Sequence, residues 1–376
     1  MNHKPLVLIS PTAYKGTLTP WRAADLIQRE IKRKKLPVHC RLSPLADGGD
    51  GTLDVLIRTW KGRLITTRVR GPLGKPVLAK WGLVGWKGEK TAVIEMARAS
   101  GLALLRGPNR ILEATSFGTG QLIKAALDQE CRRLLIGVGG TATSDGGSGA
   151  LRALGLRYFD RDGRELSEKP VDLIRLHRLD WSGFDPRLKK TKIHVLCDVR
   201  NPLLGATGSA RTFGPQKGAT PSQVFFLEKF LKRWAAFAPH PSHKKPGAGA
   251  AGALAFGLAG FSGAELVEGA PFLMKAVGWE KVAREADLII TGEGKLDRTS
   301  LGGKVIGAIG RKRGNAPVFA LCGSVDLPAP ELRRLGIARV VEMGARGLKN
   351  PERSLVLATR RLFETEPEKM VSSGLL

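Results

Sequence analysis

Short apolar strands run directly into glycine-rich or acidic loops at five places in this chain of 376 residues. The longest such segment, residues 134–150, passes from an apolar run into six glycines, several hydroxyls and one carboxylate; the others are 6–15, 193–201, 287–297 and 318–326. Glycine lets backbone N–H groups approach a ligand, and ligands bind at the carboxyl ends of strands in open α/β sheets. Although any one segment is compatible with an ordinary βα turn, five together predict a polar site for a phosphorylated, anionic ligand.

Composition narrows the class of protein. Hydrophobic residues make up 42% of the chain, which is typical of a globular fold, and no apolar run approaches the roughly 18–20 residues that a membrane span needs. The four cysteines are far apart and the six histidines lack metal-ligand spacing. These features argue against structural zinc and disulfides, and we expect a cytoplasmic enzyme without membrane contact.

The net charge of +27 raises the question of a nucleic-acid partner. The basic residues are spread along the whole chain in short bursts, without aromatic interleaving, a zinc finger or a helix-turn-helix pattern. We therefore expect no nucleic-acid partner, and we attribute the charge to solvated faces, to anionic ligands or to a basic proteome.

The order of predicted elements indicates two α/β domains. Thr19 and Pro20 form a helix-start signal after the first strand, and the pattern changes to β-rich segments from about residue 63. Residues 239–252 are predicted to be a loop, and the strand–loop–helix order returns after Asp287. We expect a Rossmann-like parallel-sheet domain at 1–65 and 287–376, interrupted by an inserted α/β domain at 66–286, with the active site in the cleft between them.

Familiar nucleotide-binding motifs fit poorly. A Walker A loop is absent, because Arg298 stands where its first glycine belongs and Val305 follows Lys304. Residues 247–252 match the dinucleotide pattern G-x-G-x-x-G, but no strand precedes them. Residues 137–142 do follow a strand, yet no helix can begin inside that motif, so a dehydrogenase is disfavoured.

Seven motifs occur in an order that resembles the bacterial glycerate kinase family of glyoxylate and sugar-acid breakdown, over about residues 5–365. They are Ala46-Asp-Gly-Gly-Asp-Gly-Thr52, Ile94-Glu-Met-Ala-Arg-Ala-Ser-Gly-Leu102, Ala114-Thr-Ser-Phe-Gly-Thr-Gly120, Gly139-Gly-Thr-Ala-Thr-Ser-Asp-Gly-Gly147, Cys197-Asp-Val-Arg-Asn-Pro-Leu203, Phe213-Gly-Pro-Gln-Lys-Gly-Ala219 and Gly292-Glu-Gly-Lys-Leu-Asp297. The resemblance implies a two-domain fold with an insertion and ATP-dependent, Mg²⁺-assisted phosphorylation of D-glycerate. It favours 2-phosphoglycerate as the product, while the residues leave open which hydroxyl reacts and whether the protein is a monomer or a homodimer.

The chain departs from the family pattern at three places. Thr12 and Ala13 replace the usual Asp-Ser of the first loop, Ser144 stands where asparagine is common, and Thr299 replaces a usual glutamine. These changes leave open two alternatives, a kinase for a related hydroxy acid or a catalytically impaired member that binds small anions.

Phosphoryl transfer requires cations for the phosphates, carboxylates for Mg²⁺ and an acceptor for the hydroxyl proton. We predict Lys15, Asp47 and Asp198 as catalytic residues, and Asp198, Glu293 and Asp297 as metal ligands. Which acid is the base stays open, and each acid has a turn or helix-capping role as its alternative.

The remaining candidates contact substrate or nucleotide. Arg98 is expected to pair with a substrate carboxylate, and Asp145 to orient substrate or metal. Glycines flank Asp47 and Glu293 so closely that we expect both in loops outside the packed core. The full set of binding candidates is Arg98, Gly139, Gly140, Thr141, Ser144, Asp145, Asn201, Lys217, Glu293 and Lys304.

Overall fold

The structure, a computed structural model, describes residues 4–301, 304–344 and 349–364. Within these ranges the strands, numbered in chain order, are β1 (Leu6–Ile9), β2 (His39–Leu42), β3 (Arg63–Arg70), β4 (Pro76–Trp86), β5 (Glu89–Glu95), β6 (Arg133–Gly137), β7 (Arg157–Phe159), β8 (Arg178–Asp180), β9 (Lys192–Cys197), β10 (Glu265–Glu268), β11 (Leu288–Leu296), β12 (Val318–Val325) and β13 (Ile337–Glu342).

The helices alternate with the strands. They are α1 (Pro20–Arg33), α2 (Thr52–Thr59), α3 (Ala97–Ser100), α4 (Phe117–Asp128), α5 (Ser148–Ala153), α6 (Pro170–Leu173), α7 (Ser209–Phe213), α8 (Pro221–Ala235), α9 (Ala250–Ser262), α10 (Gly269–Ala276), α11 (Trp279–Glu285), α12 (Val305–Lys312), α13 (Ala329–Arg334) and α14 (Pro351–Glu364). No helix of the described ranges combines the length and apolar character that crossing a membrane requires.

The chain divides into two compact units. The first unit is Met1–Asp47 with Ala270–Leu376, and the second unit is Gly48–Gly269. These boundaries lie earlier in the chain than the expected 65/66 and 286/287. The reason is that α2 packs on β4 and β5 of the second unit, whereas α11 packs on β1 of the first.

A five-stranded sheet in the order β13-β12-β11-β1-β2 forms the centre of the first unit, and every neighbouring pair is parallel. Helix α1 begins where the sequence predicts, because the Thr19 hydroxyl accepts a hydrogen bond from Arg22 N at 3.3 Å and Pro20 occupies the first turn. Its apolar face, with Ala23 and Ile27 fully buried, packs on β1 and on α14.

A six-stranded sheet in the order β10-β9-β6-β5-β4-β3 forms the centre of the second unit. Strands β10, β9, β6 and β5 are parallel, whereas β5-β4-β3 form an antiparallel meander that accounts for the β-rich stretch expected from about residue 63. The carboxyl ends of β5, β6 and β9 therefore lie at one edge of this sheet, where the predicted site residues follow them.

The loop predicted at 239–252 leads directly into α9. Helix α9 is assigned from Ala250, although Ala251, Gly252 and Ala253 have positive φ values of 54°, 62° and 66° and the regular helix follows them. A Cβ atom at Gly252 would lie 1.9 Å from the Thr143 carbonyl oxygen. Glycine is therefore required where this irregular turn packs on the loop after β6.

Strand β11 is longer than the sequence indicates. It continues through Gly292, Glu293 and Gly294, with Glu293 opposite Cys322 of β12, so the expectation that Glu293 lies in a loop is wrong. The glycines serve close packing, since a Cβ at Gly292 would lie 2.2 Å from the Leu321 carbonyl oxygen and 2.2 Å from the Tyr14 hydroxyl. The same composition that marks a loop thus also allows two strands and a tyrosine to meet.

Candidate active site

The predicted site residues form two groups, one in each unit. The first group contains Lys15 and four side chains that we call the acidic cluster. The acidic cluster consists of Asp47, Glu293, Asp297 and the neighbouring Lys304. The second group surrounds the glycine loop, defined as residues 138–147 after β6, and includes Arg98, Asp198, Asn201 and Lys217.

Glu293 is the central side chain of the acidic cluster. Burial raises its pKa to about 7, and the charges of Asp47 and Asp297 act in the same direction. A hydrogen bond of 2.6 Å from the Ser300 hydroxyl to its Oε1 and the charge of Lys304 oppose this rise. The second oxygen, Oε2, accepts no hydrogen bond from the described residues and is the part of this carboxylate that a ligand can use.

Asp297 directly follows β11 and stays ionised. Its Oδ1 accepts hydrogen bonds from Thr299 N at 2.9 Å and from the Thr299 hydroxyl at 2.5 Å, and these bonds together with Lys304 and Lys295 lower its pKa. Thr299 is one of the residues that departs from the family pattern, and here it fixes the orientation of the neighbouring carboxylate.

The first loop, which also departs from the family pattern, packs against β11. The backbone N–H and the hydroxyl of Thr12 both donate to the Gly292 carbonyl oxygen, at 2.8 Å and 3.1 Å. Tyr14 is buried and donates to the Leu321 carbonyl oxygen at 2.7 Å. Lys15 is exposed on the turn that follows, and Lys304 stands at the N-cap position of α12. The turn thus presents the Lys15 ammonium to solvent beside β11.

Asp145 is enclosed by the fold of the second unit. Its carboxylate accepts hydrogen bonds from Ser116 N at 2.7 Å, the Ser116 hydroxyl at 2.8 Å, Gly147 N at 3.2 Å and Gly149 N at 3.2 Å, and none of its side chain is exposed. Burial raises its pKa while these donors lower it. The bonds tie the starts of α4 and α5 together, so the carboxylate contacts that the structure describes all serve the fold of the second unit.

Lys217 is buried as well and acts on the glycine loop. Its ammonium donates to the Thr143 carbonyl oxygen at 2.8 Å, and burial lowers its pKa to about 7 while Asp145 opposes this shift. The Asn109 side chain bridges the carbonyl oxygens of Ala142 and Lys217, at 2.9 Å and 3.1 Å. These contacts hold the loop from behind, so the structure places Lys217 as a support for the loop backbone.

The exposed part of the glycine loop is short. Gly139 is partly buried and Gly140, with a φ of 67°, is exposed, whereas Thr141 and Ser144 are buried. The Thr141 hydroxyl is 2.9 Å from that of Thr143 and is used within the loop. Backbone N–H groups near Gly139 and Gly140 are therefore the part of the loop that a phosphate can reach.

Arg98 does not stand alone, because it is paired with a residue that the sequence analysis did not single out. Its Nε donates to Glu95 Oε2 at 2.6 Å, and Glu95 Oε1 accepts from Gly51 N at 3.0 Å and Leu53 N at 2.9 Å at the start of α2. Glu95 is buried and 39% of the Arg98 side chain is exposed. The sequence signal that could have identified Glu95 is its position at the end of a strand, directly before the Met-Ala-Arg string.

Asp198 directly follows β9, as predicted from its buried apolar strand, and is partly buried. Asn201, also predicted as a binding residue, donates from its side-chain nitrogen to the Thr207 carbonyl oxygen at 2.7 Å and so shapes the loop that follows. Asp198 is thus a partly accessible acid at the carboxyl edge of the six-stranded sheet.

The acidic cluster fits a magnesium ion in the manner of nucleotide enzymes. Within the described ranges, no set of three or more His, Cys, Asp or Glu side chains is arranged to hold a metal ion by itself. Mg²⁺ in such enzymes is usually bound by one or two carboxylates together with substrate phosphates and waters. Glu293 and Asp297 supply two carboxylates of that kind.

Comparison with known proteins decides the family. The model of the Glycerate kinase family matches residues 7–368. A glycerate kinase of Bacillus subtilis is 41% identical over 88% of this chain and 88% of its own, and a glycerate 2-kinase of Escherichia coli is 40% identical over 89% of each. The crystal structure of a candidate glycerate kinase 2 from Salmonella typhimurium LT2 has a TM-score of 0.82 and 35% identity, and the match covers 100% of both chains.

The chain belongs to the glycerate kinase family. This finding confirms the resemblance drawn from the motifs and the α/β fold class with parallel sheets. Glycerate kinases are phosphotransferases with an alcohol group as acceptor, and the protein is an enzyme of this class.

Proposed function

We propose that this glycerate kinase transfers the γ-phosphoryl group of ATP to D-glycerate, with Mg²⁺ as cofactor, and that the product is 2-phosphoglycerate. The observation that carries the proposal is the match of about 40% identity, over most of both chains, to proteins named glycerate kinase. The name of the Escherichia coli relative, glycerate 2-kinase, supports the position of transfer.

We assign the acidic cluster to the metal and the phosphates. Glu293 Oε2 and the Asp297 carboxylate would hold Mg²⁺, and the ammonium groups of Lys15 and Lys304 would bind phosphate oxygens. When bound, the ion neutralises charge that develops on the transferred group. Asp47 completes the cluster, since its negative charge favours the protonated form of Glu293 until a cation binds.

We assign the hydroxy acid to the second group. The exposed part of the Arg98 guanidinium would pair with the glycerate carboxylate, while Glu95 holds Arg98 in place. Asp198 would accept the proton of the reacting hydroxyl as that oxygen forms its bond to the γ-phosphorus and the bond to ADP breaks. The products are phosphoglycerate and ADP, and the proton passes from Asp198 to water.

The altered first loop favours a second candidate, a kinase for a related hydroxy acid. Thr12 and Ala13 occupy positions where the family usually has Asp-Ser, and the Thr12 hydroxyl is hydrogen-bonded to Gly292. A change of this kind beside β11 alters the polar groups that the first loop can offer to a ligand.

A coupled assay of ADP release tests the proposal. We expect release that depends on ATP, Mg²⁺ and D-glycerate, with a higher kcat/KM for D-glycerate than for L-glycerate, glycolate or D-lactate. A higher kcat/KM for another hydroxy acid would favour the second candidate. Binding of glycerate without ADP release would indicate an impaired, anion-binding member of the family.

A further inference from the structure

The second unit contains a cavity of about 710 Å³ that the assignments above do not use. It lies between the turn that joins β3 to β4 and the segment 103–110, and Leu73, Val77, Leu104 and Leu105 are among its apolar lining residues. Ligand pockets are typically about 300–1,000 Å³, so the cavity has the size of a small-molecule site.

One wall of this cavity is fastened to the glycine loop. Leu102 N donates to the Gly140 carbonyl oxygen at 2.9 Å, and the Asn109 side chain donates to the Ala142 carbonyl oxygen at 2.9 Å. A β-bridge between Gly101 and Thr141 adds to these contacts. The segment that forms this wall is therefore held directly against the glycine loop by hydrogen bonds.

Basic side chains accompany the apolar walls. Lys75 and Arg106 line the cavity and are exposed, and Arg110 lines it while paired with Glu113 at 3.3 Å. Apolar walls suit a flat, weakly polar ring, and exposed cations suit an anion. D-Glycerate has no apolar surface to place against leucine side chains, whereas a nucleotide has both a ring and an anionic chain.

We propose that this cavity binds the adenine and ribose of ATP, with the α- and β-phosphates passing Lys75 and Arg106 towards the backbone of Gly139 and Gly140. The inference rests on the proposed function for the identity of the nucleotide. It adds the location of the adenine ring, which neither the motifs nor the named relatives assign.

Two substitutions test the site. Ala103→Trp places a large ring in the cavity from an exposed wall position, and Arg106→Ala removes an exposed cation. We expect Ala103→Trp to raise both the KM for ATP and the calorimetric Kd for ADP at least tenfold, with the KM for D-glycerate changed less than twofold. Arg106→Ala should raise the same two constants three- to tenfold. Val171→Trp, at an exposed position on α6, is the matched control and should change none of them.

Photolabelling gives an independent result. Irradiation with 8-azido-ATP should modify a peptide that contains residues 71–77 or 103–110, and ADP should protect it. Labelling elsewhere, or unchanged ADP affinity in both variants, would overturn the inference. If Ala103→Trp fails to fold, Arg106→Ala and the labelled peptide decide. If the wild type is active and the variants are unaffected, the nucleotide site in this cavity is refuted and the proposed function is not. If the wild type binds ADP in this cavity but phosphorylates no hydroxy acid, the proposed function is refuted and the nucleotide site is not.

Discussion

Two carboxylates that look alike in the sequence have opposite surroundings in the structure. Glu293 and Asp145 both stand among glycines that follow an apolar run of the sequence. Asp145 accepts four hydrogen bonds from its own unit, whereas Glu293 accepts one from Ser300 and lies near two further acids and Lys304. Glycine beside an acid therefore indicates close backbone packing, and only the hydrogen-bond partners show whether the acid serves the fold or a ligand.

The same contrast separates two lysines. Lys217 is buried with its ammonium on the Thr143 carbonyl oxygen, whereas Lys15 is exposed on a turn beside β11. A charge that the fold already uses contributes to the shape of the loop. A charge presented to solvent is available to a phosphate or carboxylate. Substitutions that remove one charge at a time should distinguish these roles, as the next four predictions describe.

The largest effect is expected at Asp198. Asp198→Asn keeps the size of the side chain but removes the charge that a proton acceptor needs, so kcat should fall by about 10²–10⁴-fold while the melting temperature stays near that of wild type. Steady-state kinetics and a thermal melt measure both quantities. Asp162→Asn, at a position with 69% of the side chain exposed, is the control. If Asp198→Asn is as active as wild type, another residue accepts the proton. If the variant is unfolded, Asp198 is a structural residue.

The second-largest effect on activity is expected at Lys15. Lys15→Ala removes a cation beside the acidic cluster, and kcat/KM should drop at least about 10²-fold, or ~2.7 kcal/mol of transition-state stabilisation. Lys32→Ala, which removes an exposed lysine from α1, should leave kcat/KM unchanged. A Lys15→Ala enzyme within threefold of wild type would exclude this residue from the site.

Asp145→Asn should lower stability. The amide keeps one acceptor but turns an N–H₂ group towards donors such as Ser116 N, so we expect a loss of about 2–3 kcal/mol in the free energy of unfolding. A lower urea midpoint, followed by circular dichroism, measures the change. If the midpoint is unchanged while kcat falls 10²-fold, Asp145 belongs with the catalytic acids and the contrast with Glu293 is lost.

The smallest effect concerns the pH dependence of stability at Glu293. Because burial raises the pKa of Glu293 to about 7, the folded protein holds a proton that the unfolded chain releases near pH 4.5. The free energy of unfolding of wild type should therefore fall as pH rises through this window. Glu293→Gln carries no such proton, so it should match wild type at pH 4 and be about 1–3 kcal/mol more stable at pH 8. Parallel stability curves for the two proteins would contradict the raised pKa.

The sequence predicted the positions of the strands well and the surroundings of the acids poorly. Five strands occur at the apolar runs with which the five segments begin, namely β1, β6, β9, β11 and β12. Short buried strands bounded by glycine have a distinctive sequence pattern, which is why they could be predicted. The extension of β11 through Glu293 was missed, since its glycines signal a loop unless the nearby Tyr14 and Leu321 are known. That proximity depends on tertiary packing, which no local pattern contains.

The hydrogen-bond partners of the site residues could not be predicted from the sequence for the same reason. Asp145 and Ser116 are bonded although they lie in different motifs, as are Lys217 and Thr143. Each pair joins segments that only the folded sheet brings together. The motifs of the family contained these residues, but not the distinction between those that hold the loop and those that are open to a ligand.

Phosphorus NMR of the reaction product tests the central claim most directly. The purified protein would be incubated with ATP, Mg²⁺ and D-glycerate, and the proton-coupled spectrum recorded. Transfer to the 2-hydroxyl places phosphorus next to a single C–H proton, so we expect a new phosphomonoester doublet together with ADP. A triplet would show transfer to the 3-hydroxyl and contradict the assigned product, and the absence of any phosphomonoester signal with active, folded protein would contradict glycerate phosphorylation itself.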